Sequence, residues 1–238
     1  MKLDILAFGA PPDDVELGAA GTLAKHVELG YKVGIVDLTK GEVGTRGTPE
    51  VRLKESADAA DIIGCAVRVN LGLRDGFVTN DEDSQMDVIR VIRKYKPDIV
   101  MCNAPSDRHP DHGNGAQLVK DAAFKAGLKK IESNDANGPQ TAWRPKKVYH
   151  YIQYHALEPD FVVDISEHID QKMASIKAHR SQFHDPESSE PETVIASKDF
   201  LDSIESRSIE YGRIIYVKYG EGFISTEMKK VNDLTHFY

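Results

Sequence analysis

Two short clusters concentrate the residues of this chain that could do chemistry. The first is Pro11-Pro12-Asp13-Asp14 with Glu16, and the second is Asp107-Arg108-His109-Pro110-Asp111-His112. Adjacent carboxylates on a loop can divide labour, one ligating a metal while the other stays free to accept a proton. Two histidines three apart across a turn can likewise ligate and hydrogen-bond one centre. Each cluster also has a plainer reading. Asp-Asp ahead of a helix is the pattern of an N-cap that complements the helix dipole, and His-Pro-Asp-His can open a helix with Asp111 as its cap. Where the two clusters fall along the chain decides how much weight the chemical reading carries.

Leu3–Gly9 is a continuous apolar run of strand length, followed by Ala20, Leu23, Ala24 and Val27 at helical spacing until Gly30. Val33–Leu38 is a second apolar strand. The Gly-rich stretch Gly41–Pro49 then leads into a helix over Val51–Ile63, and Val67–Leu71 follows as a third strand. Val88, Val91, Ile92 and Tyr95 mark the next helix, Ile99–Asn103 a fourth strand, and His112–Ala126 a helix with Leu118, Val119, Ala122, Ala123 and Ala126 inward. Strands apolar on both sides, each followed by a helix, predict an α/β fold: a Rossmann-like, mostly parallel sheet flanked by helices on both faces. In the commonest doubly wound order, strands 1 and 4 are neighbours, and ligands bind beyond their carboxyl ends. Both clusters fall there, which makes coincidence of two plain helix caps the weaker reading.

Beyond the polar stretch Glu132–Pro145, an ordered loop or insertion, a smaller C-terminal α+β part is expected over residues 146–238, completing one domain with the βα units of 1–130. Its elements are strands at Val148–Gln153 and Phe161–Asp164, a helix marked by Ile169, Met173, Ile176 and Arg180, and a helix over Ala196–Gly212. Ile214–Tyr219 follows as a further apolar run, and the tail from Gly222 to Tyr238 reads as irregular. His150, His155, His168, His179 and His184 show no ligand spacing and are assigned to surface or core, with His184 and Tyr211 as remote candidates for the pocket. Tyr149, Tyr151 and Tyr154 are assigned to core or subunit interface.

Phe8-Gly9-Ala10-Pro11-Pro12-Asp13-Asp14-Val15-Glu16-Leu17-Gly18, then Gly44-Thr45-Arg46-Gly47-Thr48 leading to Arg52 and Glu55, then Arg108-His109-Pro110-Asp111-His112, resemble the PIG-L/LmbE family of zinc-dependent N-acetylglucosaminyl deacetylases, and most of all its bacillithiol-pathway branch. The likeness runs from Lys2 to about Phe223 and includes Glu158-Pro159-Asp160-Phe161 and Tyr219-Gly220-Glu221-Gly222-Phe223. It implies Asp13 as general base, Asp14 and His112 as zinc ligands, and His109, oriented by Asp111, supporting the intermediate and passing a proton to the leaving amine. Arg52 and Arg108 would face the substrate, in that branch the N-acetylglucosaminyl ether of malate, whose carboxylates suit guanidinium groups. The resemblance further implies a homo-oligomer, a hexamer built as a trimer of dimers.

The sequence departs from the family pattern Ala-His-(Pro/Ala)-Asp-Asp at one place: Pro11 stands where a zinc-binding His is expected. Catalytic zinc normally keeps three protein ligands, and proline has no side-chain donor. An inactivated, sugar-binding homologue, recruitment of another donor such as Asp13 or His109, and a one-base change from a His codon are all compatible with it. An Asp and a His would equally accept Fe²⁺ or Mn²⁺.

Composition narrows the remaining classes. Over 238 residues, 38 Asp and Glu against 30 Lys and Arg leave a net charge of -8, which argues against nonspecific nucleic-acid binding. No apolar run approaches the ~18 residues of a membrane span, and no basic-then-apolar leader opens the chain, so a cytoplasmic protein with a small-molecule substrate is expected. Cys65 and Cys102 lie in apolar stretches and read as core residues. The Gly41–Gly47 stretch lacks both the P-loop ending and the dinucleotide fingerprint, so no nucleotide is implied.

Overall fold

Every residue of β1 (Ile5–Gly9) and of β2 (Val33–Thr39) is buried, the condition of strands covered by helices on both faces. The computed structural model describes residues 1–228 and 233. It alternates β1, α1 (Asp14–Glu28), β2, α2 (Pro49–Ile63), β3 (Val67–Leu73), α3 (Glu82–Tyr95), β4 (Ile99–Cys102) and α4 (Pro110–Ala126). A short hairpin, β5 (Asn134–Asp135) and β6 (Gly138–Pro139), occupies the polar stretch. Then come β7 (Lys147–Tyr151), β8 (Phe161–Asp164), α5 (Ile169–Ala178), α6 (Lys198–Ile214) and β9 (Gly220–Ser225).

The seven-stranded sheet has the order β3-β2-β1-β4-β7-β9-β8. From β3 to β7 every pair is parallel, and β9 runs antiparallel to both neighbours. This is the expected α/β architecture, with β1 beside β4. The C-terminal strands extend the same sheet. One core layer packs α3 and α4 against one face through Val88, Ile92, Leu118 and Val119, while α1 covers the other through Val15, Ala20 and Leu23.

One C-terminal expectation is corrected. In the apolar run Ile214–Tyr219, α6 continues through Ile214, Tyr216 turns with φ 62 and is 97% exposed, and Tyr219 is buried in a cluster with Ile165 and Ile169. A strand, Gly220–Ser225, overlaps the stretch read as irregular from Gly222, and residues 229–232 and 234–238 of that tail lie outside the described residues. Between β7 and β8 it carries a buried carboxylate, Glu221, which accepts from Lys172 (2.6 Å) and from the Gly21 and Thr22 amides of α1 (3.0 and 2.7 Å). Such a pair is tolerated in a sheet because every charge has a partner.

Candidate active site

The loops after β1 and β4 meet over a cavity of about 290 Å³, lined among others by Pro11, Asp13, Asp14, Arg108, His109 and His112. Asp13 immediately precedes α1 with φ 106 and ψ -24, a left-handed conformation that costs a non-glycine residue energy and recurs at functional sites. Its side chain makes no capping bond, so the plain helix-cap reading does not describe it. The carboxylate instead accepts from Arg52 Nη2 at 3.1 Å, with both side chains buried. Burial pushes Asp13 up to about 7 although Arg52 pulls the other way, which leaves it half-ionised near neutrality, where a general base works best.

Arg52 is committed to this task. Nη2 also donates to the Pro12 carbonyl (2.8 Å) and Nη1 to the Gly41 carbonyl (3.0 Å), leaving only Nε without a partner. Gly41 is required beside it: its φ is +69, and a Cβ there would sit 1.8 Å from Arg52 Nη1. The Arg52 expected at the substrate is therefore, in this structure, first the holder of Asp13.

Asp14 starts α1 with both oxygens engaged. Oδ2 accepts from Asn103 Nδ2 (2.7 Å) and the Ala10 amide (3.2 Å), Oδ1 accepts from Gln153 Nε2 (2.6 Å), and His112 Nε2 lies 3.2 Å from Oδ2. The other ring nitrogen of His112 is 3.1 Å from Asp107 Oδ2. Burial opposes its charge, but the two flanking carboxylates outweigh burial and raise His112 to about 10.

His109 caps α4, its Nδ1 accepting from the backbone N–H of Asp111 at 3.2 Å. That bond leaves the ring proton of the neutral form on Nε2. Asp111 thus holds His109 through its backbone N–H, while its carboxylate serves elsewhere. Asp111 is fully buried, and its oxygens accept from the Gly76 and Val78 amides (2.7 and 3.2 Å), tying the loop after β3 to α4. Arg108 reaches over the mouth with its guanidinium 5.0 Å above the Tyr154 ring.

The zinc implied by the resemblance can be tested on these donors. A catalytic zinc takes three protein ligands. Asp14 and His112 are the two at hand, Pro11 lines the cavity without a donor, and Asp13 is paired to Arg52. Among the described residues, no three His, Cys, Asp or Glu side chains group to hold a metal ion. The residues present do not fit a three-ligand zinc.

Several residues of the site carry no signal in the sequence. Asn103 and Gln153 are neutral amides at the ends of strands, Asp107 sits in the cluster without an assigned role, and Tyr154 lines the cavity where core or interface is expected. Arg46 pins the far wall, donating to Ser181 O (2.6 Å), Pro191 O (3.0 Å) and Ser188 Oγ (2.9 Å). Beneath the site, Arg68 pairs with both Asp37 (2.8 Å) and Glu16, and fully buried His179 lies 3.1 Å from Glu16. His150 and His168 are also buried, and His155 and His184 are exposed. Tyr211 bonds the Leu157 carbonyl (3.2 Å) and does not line the cavity.

The chain is similar in fold and sequence to known proteins. A conserved protein of Thermus thermophilus, solved by crystallography, superposes with a TM-score of 0.86 at 34% identity over 97% of this chain and 98% of its own. Diacetylchitobiose deacetylase of Thermococcus kodakarensis is 28% identical over 92% of this chain and 81% of its own length. A probable N-acetyl-alpha-D-glucosaminyl L-malate deacetylase 2 of Bacillus subtilis is 29% identical over 76% of this chain and 84% of its own. The family model "PIG-L: GlcNAc-PI de-N-acetylase" matches residues 6–123, the span that holds both clusters and the strands beneath them. The chain belongs to the PIG-L family.

Proposed function

We propose that the chain is a hydrolase that removes acetate from an N-acetylated amino-sugar small molecule, with N-acetylglucosaminyl malate as the best-fitting substrate. The observation that carries this reading is Asp13: a buried carboxylate in a costly backbone conformation, held by Arg52, raised to about 7, and aimed into a cavity it shares with two histidines.

In the reaction, Asp13 takes a proton from a water molecule as the water oxygen bonds the acetyl carbon. The Nε2–H of His109 donates to the oxyanion that forms, a contribution of ~10² to 10³ in rate where such donors have been removed. The proton on Asp13 then passes to the nitrogen as the C–N bond breaks, releasing acetate and the free amine.

Room for a group beyond the sugar supports a conjugate as substrate. The cavity continues into a hollow of about 280 Å³ shared by Thr45, Arg108, Gln182 and Ile195. The Arg108 guanidinium forms no ion pair with a carboxylate among the described residues and suits a bidentate anion such as a malate carboxylate. The relatives named for diacetylchitobiose and for the malate conjugate both act on N-acetylglucosamine compounds by name.

The test is acetate release from N-acetylglucosaminyl malate beside diacetylchitobiose, with wild type and Arg108→Ala. The malate conjugate should turn over faster, and Arg108→Ala should raise its KM ~10-fold or more with little change in kcat. Binding of either sugar without acetate release would instead favour a sugar-binding homologue, the reading that Pro11 keeps open.

A further inference from the structure

We propose that this chain holds Asp14 by a clasp of N–H donors in place of a resident divalent cation, and so does not retain stoichiometric zinc. A carboxylate offers about four lone-pair directions. In Asp14, Oδ2 faces three nitrogens, the Ala10 amide, Asn103 Nδ2 and His112 Nε2, at 3.2, 2.7 and 3.2 Å, and Oδ1 accepts from Gln153 Nε2 at 2.6 Å. The two amides are themselves joined, since Asn103 Nδ2 also donates to Gln153 Oε1 at 3.0 Å, so the clasp closes on itself. Asp14, Asn103 and Gln153 are all buried, and a burial this deep is tolerated because both carboxylate oxygens have donors.

A cation at Asp14 and His112 would have to strip at least one of these donors and take a bare Nε2 from His112, whose two ring nitrogens each face a carboxylate. In return it would gain two protein ligands, because Pro11 lines the same cavity without a donor atom. Loss of a mere supporting partner costs ~10 to 100-fold in metal affinity, so absence of a direct nitrogen ligand costs at least ~100-fold. Position 11 is therefore the switch between the two ways of neutralising Asp14.

The experiment reads zinc and stability, independently of turnover. Wild type and Pro11→His are expressed with added zinc and desalted without chelator. Zinc per chain is then measured by mass spectrometry, zinc affinity by competition with a chromophoric chelator, and Tm with and without EDTA. The expected result is far less than one zinc in wild type, with a Tm that EDTA does not move. Pro11→His should approach one zinc, bind it at least ~100-fold more tightly, and lose Tm on chelation. Near-stoichiometric zinc in wild type with an EDTA-sensitive Tm would overturn the proposal, and so would a folded Pro11→His that gains no zinc. Should Pro11→His fail to fold, the wild-type titration decides alone. Failure here would leave the acetate-releasing reading untouched, since neither readout depends on substrate.

Discussion

Replacing Arg52 by Gln removes the cation that holds Asp13 while keeping a polar side chain at that position. With charge centres roughly 4 Å apart and an effective dielectric constant of about 20, the lost attraction is on the order of 4 kcal/mol, or ~3 pKa units as an upper bound. Carboxylates beside arginine are shifted by ~1 to 3 units, so the expected rise for Asp13 is ~1 to 2 units above its value of about 7. The sign follows from the role. Asp13 must be ionised to accept a proton, so the acid limb of kcat/KM should move upward, from about 7 toward ~8 to 9. At pH 7 the variant should lose ~5 to 50-fold in kcat/KM and recover most of it by about pH 9.5. The assay is acetate release across roughly pH 5.5 to 9.5 for both proteins, a range that brackets both limbs. An acid limb that stays in place, with a uniform loss at every pH, would refute the coupling and reduce Arg52 to a structural brace.

Two further outcomes follow from the buried charges. Arg68→Met strands Glu16 and Asp37 beneath the site and should cost ~3 to 5 kcal/mol, or about 10 °C in Tm. Burial works against the charge of Glu16, but Arg68 and His179 hold its carboxylate far below the ordinary range. The stability this adds is therefore present above the unfolded-state value near 4.5 and lost as pH falls below it, so the Tm gap between wild type and variant should narrow in acid. A gap that stays constant down to about pH 3 would contradict that. Burial pushes the Cys65 thiol up to about 12 and the Cys102 thiol higher still. Neither should react with a disulfide reagent at about pH 8 until the chain unfolds, and prompt reaction of either in the native protein would count against this packing.

The parts of the fold legible in the sequence are those whose burial is uniform. β1 and β2 are covered on both faces and so read as apolar runs, and α3 shows a clean apolar stripe because only one side of it packs. β9 escapes such a reading because its two glycines and buried Glu221 look like a loop, and only the Lys172 ion pair and the α1 amides make that carboxylate tolerable in a sheet. Ile214 and Tyr216 show the opposite, apolar residues that face solvent. At the site, paired acids and histidines on strand ends announce themselves by residue type. Asn103 and Gln153 do not, because a neutral amide at a strand end gains its meaning only from the carboxylate it meets, 89 and 139 residues away in sequence. The role of Asp111 is hidden for a related reason. Its neighbour in sequence, His109, is held by its backbone, while its side chain serves the loop after β3.

The most direct measurement of the central claim is acetate released from N-acetylglucosaminyl malate by wild type and Asp13→Asn, alongside the free amine formed. The account predicts one acetate per amine from wild type and a loss of ~10² to 10⁴-fold in kcat for Asp13→Asn, whose amide fills the same space without accepting a proton. Turnover that survives Asp13→Asn, or no acetate from wild type on this or any other N-acetylated amino sugar, would contradict it.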